Sequence, residues 1–124
     1  VNATGWVAFV AAAAAGATLR YVVDNVVAAR MAGAFPWGTF VVNVSGSLFS
    51  GLVAGLALDH GLAGGVRTVV ATGFLGAYTT FSTFVFETVR LAEEGAGAEA
   101  ALNVVGTVVA CALAAGAGMA LAAL

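Results

Sequence analysis

The 124-residue sequence has no lysine, four arginines, one histidine, one proline and one cysteine, and only 8% of its residues are charged. Each shortage removes a class of protein. With so few cations and a formal net charge of −2, there is no basic patch to hold a polyanion, which excludes a nucleic-acid partner. The single Cys111 rules out an intrachain disulfide and leaves a small membrane-facing or pore-facing group. The opening residues, Val1-Asn2-Ala3-Thr4-Gly5, contain none of the basic residues that start a cleavable signal peptide, so the first apolar segment is expected to be retained.

What the chain does have is apolar surface: 62% of its residues are hydrophobic, and the mean hydropathy is +1.07. Such usage belongs to membrane proteins. Four stretches, residues 4–27, 36–58, 66–91 and 98–124, each supply the roughly twenty residues that a ~30 Å hydrocarbon core requires. The expected fold is an all-α membrane protein, a single four-helix transmembrane domain over residues 1–124. Its connections are too short for a soluble domain, so any activity must arise within the bilayer. The arginines give little orientation: Arg30 and Arg90 flank one side, Arg67 the other, and Arg20 lies inside the first segment. So weak a bias leaves the positive-inside rule almost nothing to act on and permits insertion both ways.

Along the first segment, Ala12 and Gly16 sit at the four-residue spacing that lets another helix approach closely. Arg20 either snorkels to the interface or points into a polar cavity, and Asp24, one turn later, is placed to pair with it. The second segment opens Phe35-Pro36-Trp37, with proline in the first turn and tryptophan at headgroup level. Deeper in, Ser47, Gly51 and Gly55 read as a helix contact, while Asn43 suits either an interhelical hydrogen bond or an ion path. The fourth segment carries Asn103, Thr107 and Cys111 four residues apart, a thin polar stripe for interhelical bonding or for a dehydrating ion.

The third segment carries the sharpest signal. Gly73-Phe74-Leu75-Gly76-Ala77-Tyr78-Thr79-Thr80-Phe81-Ser82-Thr83 interrupts an apolar span with two glycines and four Ser/Thr hydroxyls. In hydrocarbon every freed backbone group needs a partner, so a helix broken at mid-membrane marks a binding site. Beyond such a break, Phe81 and Phe84 share one helical face, with Thr80 and Thr83 on an adjacent one. Glu87 is expected to be solvated or paired with Arg90.

Gly76-Ala77-Tyr78-Thr79-Thr80-Phe81-Ser82-Thr83-Phe84 resembles the G-x-x-T-T-F-S-T-F core of the Fluc (CrcB) fluoride channels. The likeness extends to Gly16-Ala17-Thr18-Leu19-Arg20-Tyr21 and to Gly38-Thr39-Phe40-Val41-Val42-Asn43-Val44-Ser45-Gly46, so it covers essentially the whole chain. It implies a passive channel, not an enzyme, in a prokaryotic plasma membrane, exporting fluoride as an antiparallel dual-topology homodimer with two pores. It further implies a structural sodium ion at the dimer axis, held by the backbone carbonyls of Gly76 and Thr79 from both subunits. Phe81 and Phe84 would line each pore beside Asn43 and Thr83. Arg20 would stand near the aqueous vestibule, with Asn103, Thr107 and Cys111 along the polar track of the fourth helix. The chain departs from the family at Val85, where serine is common, and in that track, which is often built from Tyr and Ser.

The implied chemistry is physically sound. Fluoride is small and strongly hydrated, so a pore must replace its water with amide, hydroxyl and backbone donors. Aromatic edges, which carry partial positive charge, add attraction without a full cation that would trap the ion. Hydrogen fluoride crosses membranes and dissociates in a near-neutral cytoplasm, so fluoride leaves down its own gradient. A proton-coupled multidrug transporter of similar size needs a carboxylate deep in its first helix, where this chain has only Asp24 near the end and Arg20 opposing a cation. A structural subunit, or the partner-requiring half of a heterodimer, is the other alternative.

Overall fold

A computed structural model describes residues 2–124, and among these the chain is all helical. Helix α1 (Ala3–Arg30) starts on Asn2, whose side-chain oxygen takes the Gly5 N–H at 2.8 Å and satisfies one amide of the first turn. Helix α2 (Trp37–Asp59) begins at Pro36, where Phe35, Trp37 and Phe40 pack with ring centroids 4.7–5.7 Å apart. Gly61, at φ 65°, then turns the chain in a conformation that disfavours a side chain.

The third span is composite. A turn of α-helix, α3 (Gly64–Arg67), widens into a π-helix (Thr68–Leu75) and closes with the short α4 (Gly76–Tyr78). Thr79 and Thr80 are extended, and α5 (Phe81–Glu93) follows. After Gly95, at φ 80°, helix α6 (Gly97–Ala122) completes the chain. Four stretches, Ala3–Arg30, Trp37–Asp59, Gly64–Glu93 and Gly97–Ala122, are long and apolar enough to cross a membrane.

Small residues set the helix spacing, because lipid offers no hydrophobic gain for burying apolar side chains and contact must come from close packing. The main seam joins α2 and α6. A Cβ on Gly51 would strike the backbone of Ala115, one on Gly118 the backbone of Leu48 and Leu52, and one on Gly55 the side chain of Ala122. On the other flank, α1 lies along the π-helix, with Gly16 against the Phe74 carbonyl. The expected roles of Gly16, Gly51 and Gly55 as contact points are therefore met. Most other apolar side chains on α1 and α6 point outward.

Candidate functional site

The site grows from two threonines. Thr79 uses both its N–H and its Oγ1 on the Leu75 carbonyl, each at 3.0 Å, ending the first half of the span. Thr80 starts the second half as N-cap of α5, its Oγ1 accepting the Thr83 N–H at 3.2 Å. In an unbroken helix the Thr80 N–H would reach the Gly76 carbonyl. Here it donates to Asn43 Oδ1 at 2.8 Å, and Asn43 Nδ2 donates to the Thr80 carbonyl, also at 2.8 Å. One buried amide on α2 thus replaces the backbone ladder on both sides of Thr80. Gly46, on the same face of α2, leaves room for the Thr79 methyl group.

Around this pairing opens a cleft of about 370 Å³. Five of the residues expected in the fluoride pore line it: Asn43, Phe81, Phe84, Thr107 and Cys111. Thr79, Thr80, Ser47 and Ser50 add further polar atoms to its wall. The Phe81 and Phe84 rings lie 5.7 Å apart and tilted by 44°; Phe84 is buried, whereas Phe81 is 75% exposed. At the cleft the α5 helix presents its first turn, the positive end of its dipole.

Arg20 and Thr83 lie elsewhere, in a second cavity of about 200 Å³ shared with Asp24, Thr39 and Thr80. Thr80 lines both cavities. Arg20 and Asp24 face this space without forming an ion pair; among the described residues the ion pair is Arg90 with Glu94, at 3.9 Å. That corrects the expected partner of Glu87, which receives a hydrogen bond from the Thr39 hydroxyl instead of meeting Arg90. The reason is local geometry: Glu94 is one turn beyond Arg90 on the exposed face of the helix, while Glu87 is only partly exposed and turns toward α2.

Asn103 lines neither cavity. It is buried and bonded to Thr88 and Thr107. Gly76 is exposed and its N–H is engaged by the Ala71 and Gly73 carbonyls. Residues not singled out as site members, namely Thr80, Thr88, Ser47 and Ser50, belong to the polar lining or its support. Thr80 had a readable signal, since a hydroxyl three residues before Thr83 suits an N-cap. Thr88 had none, because its partner is on another helix.

Residues 7–119 match the family model described as CrcB-like protein, Camphor Resistance (CrcB). The chain is 50% identical over 122 residues to fluoride-specific ion channel FluC 1 of Frankia casuarinae, covering 94% of this chain and 95% of that one. It is 46% identical over 105 residues to fluoride-specific ion channel FluC 1 of Streptomyces avermitilis, 85% of each. Fluoride-specific ion channel FluC of Maridesulfovibrio salexigens is 47% identical over 97 residues, 77% of each.

Proposed function

The chain belongs to the CrcB family, and from that membership we propose that it is a fluoride-selective passive channel that lets cytoplasmic fluoride leave down its electrochemical gradient. It is a multi-pass membrane protein and an ion channel, not an enzyme. The observation that carries the reading is the cleft in which Asn43, Phe81, Phe84 and Thr107 converge on the first turn of α5. Amide hydrogens, aromatic edges and a helix dipole are groups that replace the hydration of a small anion without a trapping charge. The neighbouring cavity, with Arg20 at its wall, serves as the aqueous approach.

The working unit is an antiparallel dual-topology homodimer with two pores, its third span interrupted at mid-membrane. Support comes from the sparse arginines and from Phe81, whose ring is left largely uncovered by its own chain. A sodium ion at the dimer axis would take the Gly76 and Thr79 carbonyls of both copies. These groups fit it: they are hard oxygen donors, and the Thr80 N–H that would have occupied the Gly76 carbonyl is on Asn43. When bound, the ion would supply positive charge to offset these carbonyl dipoles and would join the two chains.

Replacing Phe81 or Phe84 with isoleucine tests the pore. Fluoride efflux from liposomes should fall by roughly tenfold or more, equivalent to at least ~1.4 kcal/mol on the barrier, while the protein still elutes as a single folded species. Unchanged efflux in both variants would remove the rings from the path.

A further inference from the structure

Behind the cleft wall runs a directed chain of hydrogen bonds. Thr88 Oγ1 lies 2.8 Å from the Phe84 carbonyl, Asn103 Nδ2 lies 2.8 Å from Thr88 Oγ1, and Thr107 Oγ1 lies 3.2 Å from Asn103 Oδ1. A carbonyl only accepts, so Thr88 must give its single hydrogen to Phe84. The Thr88 oxygen then accepts from the Asn103 amide nitrogen. That turns the amide oxygen toward Thr107, which in turn donates. One backbone carbonyl therefore fixes the polarity of the whole chain, and Asn103, only 2% exposed, has no alternative partner in solvent. The consequence reaches the cleft. Thr107 lines it, yet a threonine whose hydrogen is engaged behind the wall meets an anion with lone pairs alone.

From this geometry we infer that Thr88 and Asn103 are positioning residues that hold the Thr107 hydroxyl hydrogen away from the anion path, making Thr107 a conditional donor to a small hard anion. The inference rests on the channel reading above. At 3.2 Å the Thr107 bond is longer than the usual hydroxyl range of about 2.5–3.0 Å, so it yields more readily than the two bonds beyond it. An anion that draws the hydrogen outward leaves Asn103 Oδ1 buried without a donor, and that penalty weakens the anion's hold. Conduction requires such weakness, because an ion that binds tightly does not leave.

The test measures fluoride current in planar bilayers against fluoride concentration for the wild type, Asn103→Leu and Thr88→Val, and for each combined with Thr107→Val. Removing the acceptor, or the anchor that orients it, frees the Thr107 hydrogen. The half-saturating fluoride concentration should then fall about tenfold, which corresponds to ~1.4 kcal/mol of added binding, and the maximal current should fall with it. Both changes should vanish in the double variants, whose half-saturation should match that of Thr107→Val alone. Thr88→Val preserves side-chain shape should Asn103→Leu fail to fold, and Thr88→Ser, which keeps the hydroxyl, should behave as wild type. A half-saturation that does not move, or that moves equally without the Thr107 hydroxyl, overturns the inference and leaves the channel reading standing. A wild type that passes no fluoride overturns both.

Discussion

Asn43 performs two tasks with one side chain. Its amide closes both bonds to Thr80, and the same residue stands on the cleft wall. The two readings open to it from sequence, interhelical bond and ion path, are therefore compatible. Asn43→Asp weights the second task. Its carboxylate still accepts the Thr80 N–H, gives up the bond to the Thr80 carbonyl because it has no hydrogen to donate, and places a negative charge beside the proposed anion path. The variant should fold, by its size-exclusion profile and thermal melt, and should lose fluoride flux by roughly tenfold or more, as a charge repulsion of over ~1.4 kcal/mol in a low-dielectric site requires. Flux at the wild-type level would take Asn43 off the path. No local pattern showed where the Thr80 backbone bonds would go, since the partner is 37 positions away in the chain.

At the scale of elements, the glycines of α2 and α6 differ sharply in what surrounds them. Gly51 lies against the Ala115 backbone, whereas a Cβ on Gly116 would meet nothing. Gly51→Val should lower the melting temperature by several degrees, the effect of the ~1–3 kcal/mol typical of overpacking. Gly116→Ala should hold or raise it, since alanine is the better helix former by up to ~1 kcal/mol. Equal effects from the two would contradict the packing described. The four spans were legible because hydropathy is a local property, and Gly51 and Gly55 were legible because four-residue spacing defines a helix face. The extended pair Thr79 and Thr80 lies within the Gly/Ser/Thr stretch that sequence marks as special. The widening of Thr68–Leu75 into a π-helix was not legible, as nothing in its apolar residues distinguishes five-residue from four-residue hydrogen bonding. The Glu87 partner was missed for a related reason: helical spacing favoured Arg90, and the hydroxyl of Thr39 arrives from another helix.

At the scale of the whole molecule, the arginine pattern and the exposed apolar flanks lead to the assembly proposed above. With Cys111 replaced by serine, a single cysteine at Ala32, beside Arg30, should react with a membrane-impermeant thiol reagent from both sides of the membrane. Labelling from one side alone would contradict dual topology. Exchange of sodium for a large organic cation should weaken the dimer, seen as a greater monomer fraction in detergent, and an unchanged fraction would dissociate the Gly76 and Thr79 carbonyls from any bridging ion. The central claim is selectivity, and it is tested most directly by reconstituting the purified protein in liposomes and recording fluoride and chloride efflux in parallel. The account predicts rapid fluoride release with chloride retained; no fluoride release, or chloride release at the same rate, would contradict it.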